Sequence, residues 1–94
     1  MNFKNGQLIT TTDILDNELY YDSPILEGNY PSFRALIEVK TVGGTGIQFS
    51  SGEAITANHY KYQVGEKFIM TFFPNKNNLH FKSDNIGDSF VITI

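Results

Sequence analysis

The side chains of this chain that could do chemistry are few and scattered. Two histidines, His59 and His80, and ten carboxylates are its acid–base and ligand groups. There is no cysteine, which removes thiol nucleophiles, disulfides and the usual zinc sites. A hydrolase needs a nucleophile with its base, or two placed carboxylates. Each histidine stands opposite apolar neighbours in an alternating run, so both read as solvent-facing strand residues. No Gly-x-Ser-x-Gly, His-Glu-x-x-His or P-loop spacing occurs. Neither catalysis nor a cofactor is expected.

The densest acidic group is Asp13, Asp16, Glu18 and Asp22. Calcium takes roughly six to eight oxygen ligands, and such a group could supply some of them. The spacing is not that of an EF-hand, so a solvated acidic loop and no metal are expected. Gly43-Gly44-Thr45-Gly46 is glycine-rich, but no helix follows it to present an N-terminus to a phosphate. A β-turn or bulge is the better account.

The remaining candidates are aromatic. The chain holds eight Phe and five Tyr but no Trp. Tyr60 and Tyr62 share a face with Val64, which assigns them to core packing. Tyr20 and Tyr21 are adjacent, so in a strand one points in and one out. The outward one is a candidate contact residue, as are Tyr30 and Phe73, because exposed aromatics anchor interfaces.

The elements that must position these residues are strands. In Phe33–Val42, Phe33, Ala35, Ile37 and Val39 alternate with Arg34, Glu38 and Lys40, the pattern of a half-buried antiparallel strand. Further strands are expected over 45–49 with Ile47 and Phe49 inward, over 59–64, and over 67–73 with Phe68, Met70 and Phe72 inward. Two more follow, with Leu79 and Phe81 inward and then Phe90, Ile92 and Ile94. Turns fall at Ser50–Glu53, Gly65-Glu66, 74–78 and 83–88. Residues 1–32 are less regular. Asn5-Gly6 reads as a hairpin turn, 8–12 as a strand, and 12–16 as one capped helical turn. Short strands with frequent turn signals make the chain all-β, a small antiparallel β-sandwich of about seven to eight strands, jelly-roll-like. The 94 residues form one domain, with 1–32 either completing the sheets or docking onto a neighbour.

Composition excludes some partners. The formal net charge is −3, and the seven Lys and Arg are dispersed. Nucleic acid and anionic membranes both call for clustered positive charge. No apolar run approaches the roughly 18–20 residues that span a bilayer. The polar start MNFKNGQLITTTD lacks the pattern of a signal peptide, and the chain reads as complete.

Residues 46–94 look like the later strands of the galactose-binding-like jelly rolls. In that family a Tyr-x-Tyr strand leads to an aromatic strand, a Leu-x-Phe strand and a closing Phe-x-Ile strand. Tyr60/Tyr62, Phe68/Phe72, Leu79/Phe81 and Phe90/Ile92 resemble these. The resemblance implies one of two roles. The first is a non-enzymatic structural protein of a phage virion, a capsid decoration or fibre component assembled in the host cytoplasm. Its partners would be other virion subunits or itself. The alternative is a carbohydrate-binding module acting on a surface glycan. The chain has no Trp, the aromatic most used as a sugar platform, and carries Thr93 where that family's closing strand often has Asp. The structural role therefore ranks first.

Overall fold

An extended chain alternates its side chains between two faces, and a strand holds its place when one face is apolar. Phe33–Thr41 obeys this rule: Ala35, Ile37 and Val39 are buried while Arg34, Leu36 and Lys40 are exposed. The structure, a computed structural model, describes residues 2–3, 5–21, 33–73 and 78–94, and the side chains at 2, 3 and 21 lie outside that description. Its strands are β1 (Asn2–Phe3), β2 (Leu8–Thr10), β3 (Asn17–Tyr21), β4 (Phe33–Thr41), β5 (Ile47–Ser51), β6 (Lys67–Phe72), β7 (Leu79–Ser83) and β8 (Ser89–Thr93). No helix occurs among the described residues.

The strands form two four-stranded sheets, ordered β1-β3-β7-β5 and β2-β8-β4-β6. Among the described residues every strand pairing is antiparallel except the short parallel contact of β1 with β3. Odd-numbered strands make one sheet and even-numbered strands the other, so each connection crosses between sheets. This interleaving is that of a small jelly-roll-like sandwich. Ile9, Leu19, Ile37, Ile47, Leu79, Phe81, Phe90 and Ile92 fill the space between the sheets, each no more than 4% exposed. Phe90 is met edge-on by Phe49 at 4.9 Å and by Phe81 at 5.1 Å, the orientation that aromatic quadrupoles favour.

The alternation corrects four expectations. Asn5-Gly6 is a turn with Gly6 at φ 78°, but β1 and β2 lie in different sheets, so it closes no hairpin. The Gly6 amide instead donates to the Ile92 carbonyl at 2.9 Å. Ser50 and Ser51 belong to β5, opposite His80 and Leu79, and do not begin a turn. Residues 13–15 are a bend without a helical turn; the Asp13 carboxylate accepts the Leu15 amide at 2.9 Å, a side-chain-closed turn that competes with helix.

The fourth correction concerns residues 59–64, which make only one bridge. Ile47 and Tyr62 exchange both amide-to-carbonyl bonds, at 3.0 and 2.8 Å. The chain then leaves, because Gly65 bonds Val39 in the other sheet at 2.9 Å. Tyr62 packs against the core as expected. Tyr60 and Val64 do not and are exposed.

Within residues 1–32, β1, β2 and β3 are parts of the two sheets, and Ile9 and Leu19 are buried. Residues 22–32 lie outside the described ones, as do residues 74–77 of the loop expected over 74–78.

Candidate functional site

The outer face of the β1-β3-β7-β5 sheet carries a row of polar side chains. Register places Glu18 beside His80, and His80 beside Ser50. In the next row Gln48 sits beside Lys82. The segment after β5 folds back over this face. Gln48 Nε2 donates to the carbonyls of Thr56 at 3.1 Å and His59 at 3.0 Å, and Gln48, Ser50 and His80 are each only 7% exposed.

His80 is therefore buried, contrary to the solvent-facing reading. Alternation places it correctly on the outward side of β7, but it cannot show that another segment covers that side. His59, at the end of the covering segment, is half-buried, and its Nδ1 accepts the Thr56 amide at 2.9 Å.

The His80 ring is held from three directions. Nδ1 lies 3.1 and 3.2 Å from the two Asp16 oxygens. Nε2 lies 3.1 Å from Asn78 Nδ2 and 3.4 Å from Glu18 Oε1. Because the Asn78 amide nitrogen can only donate, Nε2 accepts from it, and these partners assign the ring proton to Nδ1, donated to Asp16. Asp16 also accepts the Ile55 amide at 3.2 Å. Carboxylate and imidazole thus have the relation of an orienting acid and a base. Nε2 is turned to Asn78 and Glu18, however, and not to a hydroxyl. What the group does is tie the loop before β3, the strand β7 and the covering segment together.

The acidic residues do not form one cluster. Asp16 accepts from His80, Glu18 accepts the Tyr20 hydroxyl, Asp13 holds Leu15 and Asn17, and Asp22 lies outside the described residues. The hydrogen bonds from Asn17 and Leu15 hold the Asp13 carboxyl below its ordinary range. Among the described residues no three His, Asp or Glu side chains are placed to share a metal ion.

Beside this polar row a cleft of about 330 Å³ opens between β5, β7 and the covering segment. It is lined by Gly46, Gln48, Ile55, Thr56, Ala57, Lys61, Lys82 and Asp84. Asp84 accepts the Thr45 amide at 2.9 Å and the Thr45 hydroxyl at 2.6 Å. Those two bonds hold its carboxyl below the usual range. Lys61 Nζ donates to the same hydroxyl oxygen at 2.8 Å. Gly46 is buried at φ 127°, and a Cβ there would come within 2.9 Å of the Tyr62 carbonyl and 2.8 Å of Lys61 Cβ. Only glycine lets residues 61–63 cross so closely.

At the neighbouring end, Asp88 is wholly buried. It accepts the Gly43 amide at 2.7 Å, Asn85 Nδ2 at 2.8 Å and the Ser83 hydroxyl at 2.5 Å. The glycine-rich stretch is thus a close-packed bend over Asp84, Asn85 and Asp88.

The second sheet presents a different outer face. Leu36 and Ile69 are cross-strand neighbours there, 42% and 64% exposed. Leu8 and Val91 pair on the same side. Phe73, just past β6, continues the outward parity of Ile69 and Thr71 and is exposed. Arg34, Glu38, Lys40 and Lys67 border the patch, and Lys40 forms an ion pair with Glu38 that keeps the Glu38 carboxyl low.

Of the four contact candidates, the two whose side chains are described, Tyr20 and Phe73, are not brought together. Tyr20 is exposed on the outer face of the first sheet, where its hydroxyl donates to Glu18 at 2.8 Å and that carboxylate raises the phenol's pKa. Phe73 belongs to the opposite face of the molecule. Tyr21 is paired through its backbone with Phe3, its side chain lying outside the described residues, as does all of Tyr30. No sequence signal marks the buried His80 group or the cleft, because their strand residues stand on outward positions that read as plain polar surface.

Comparison of the chain with protein-family models, with curated proteins and with solved structures finds no match.

Proposed function

We propose that this chain is a non-enzymatic assembly module, of the kind a phage virion uses as a capsid decoration or fibre component. Its partner is another protein subunit, with self-association as the minimal form. The observation that carries this reading is the exposed cross-strand pair Leu36 and Ile69. Leu8 and Val91 stand one row away, in the row that continues into Glu38 and Lys67, so exposed apolar side chains lie among charges of both signs, as in a protein contact. Among the described residues the sheet ends at β6, whose six residues contain no proline and one charge, Lys67. An edge of that kind accepts a further strand. The galactose-binding-like likeness of residues 46–94 agrees with the interleaved strand order. The glycan-binding alternative has less support, because the cleft lining includes no aromatic ring to stack on a sugar face.

The test is sedimentation velocity over a range of concentrations. Reversible association is expected, weakened at least about tenfold by Ile69→Lys, as for a central interface residue. A parent protein that stays monomeric up to about 1 mM, where only negligible affinities go undetected, would overturn the reading.

A further inference from the structure

We propose that the cleft between β5, β7 and the covering segment binds a small organic anion, one bearing a carboxylate, sulfate or phosphate group. The Asp84 oxygens are taken by Thr45. The Thr45 carbonyl accepts Gln63 Nε2 at 2.7 Å. The Thr56 carbonyl accepts both Gln48 and the His59 amide. Gln48 has both Nε2 hydrogens engaged. Against these engaged acceptors, the two lysines of the wall keep donors in hand. Lys61 uses one of its three hydrogens on Thr45, and Lys82 has no hydrogen bond or ion pair among the described residues.

An ammonium with three donors and no acceptor is satisfied by an anion, and lysine binds phosphate-like groups as a point charge. The local balance is two ammonium groups against the one engaged carboxylate of Asp84, in a chain whose net charge is −3. Ile55 and Ala57 give the cleft one apolar side, suited to the carbon body of a ligand. Its volume of about 330 Å³ lies at the small end of ligand pockets, which run from roughly 300 Å³ upward. The occupant is therefore a single small molecule and not a polymer lying along the sheet. This site is independent of the assembly face, which is on the other sheet.

The experiment is an amide NMR titration of the full chain at constant ionic strength. The probes are glucuronate, glucose 6-sulfate, glucose 6-phosphate, inorganic phosphate and sulfate, with glucose as the neutral control. Saturable shifts at Gly46, Gln48, Ala57 and Lys82 are expected with the anions and none with glucose. Lys82→Met should raise the dissociation constant at least about tenfold, the weight of one charge-assisted contact. Lys40→Met, on the other sheet, should change it less than about twofold. Sugar anions binding more tightly than inorganic ones support the site and assign part of the recognition to Ile55 and Ala57. Equal binding supports it through the charge alone. Shifts that never saturate, that appear equally with glucose, or that survive Lys82→Met would overturn the proposal.

Discussion

The ring of Tyr62 lies flat on that of Phe68, with 3.9 Å between centroids and 12° between planes. This contact joins the crossing segment to β6 and seals the gap between the two sheets where regular pairing stops. Burial raises the Tyr62 phenol above its ordinary pKa. Tyr60, two residues earlier, meets Tyr62 edge-on at 4.6 Å but is exposed, its hydroxyl on Glu66 at 3.0 Å.

Tyr62→Ala is expected to lower unfolding stability by about 2 kcal/mol or more, through lost burial and lost stacking. Tyr60→Ala should stay within about 1 kcal/mol. Urea denaturation of the two variants reads the difference, and equal losses would show that the crossing segment is not held by this stack.

Asp16 joins His80 to the covering segment through the Ile55 amide. Asp16→Ala should therefore cost about 1–3 kcal/mol by stranding the buried ring nitrogen. It should also speed hydrogen exchange at Ile55 more than at the core amide of Ile37. Unchanged protection at Ile55 would mean that Gln48 alone holds the segment.

The Asp84 carboxyl is depressed by the Thr45 hydroxyl and amide. A group whose folded pKa is lowered adds stability above its unfolded pKa, and that stability is lost as pH falls through the folded value. The Asp84–Thr45 latch should accordingly open below the ordinary carboxylate range. Carbon NMR of the Asp84 carboxyl is expected to show a midpoint below that in Thr45→Val. Identical midpoints in parent and variant would remove the latch from the account.

Much of the sandwich is legible in the sequence because burial follows alternation. Ala35, Ile37, Val39, Ile47, Phe49, Phe72, Leu79, Phe81, Phe90 and Ile92 are all buried at the inward positions that a period of two assigns them. Tyr60 and Val64 break the rule because one bridge at Tyr62 does not make a strand. His80, Gln48 and Ser50 mark its limit. Period two tells which side of a strand a residue takes, and nothing in it says whether residues 52–60 will cover that side. The hairpin reading of Asn5-Gly6 fails for a related reason. Turn chemistry fixes the local bend, while strand partners are chosen by the core.

The division of odd and even strands between the sheets has a consequence for how the molecule comes apart. Neither sheet is a continuous stretch of polypeptide, so neither can form, or persist, without the whole chain being threaded. The first partner of β2 is β8, near the far end of the sequence. Folding must close nearly its longest loop to complete that sheet, and contacts so distant in sequence make for slow folding. The same lacing denies the chain a separable half. Unfolding should be all-or-none, and a backbone cut in any connection from β2–β3 to β6–β7 would leave both fragments with strands in both layers.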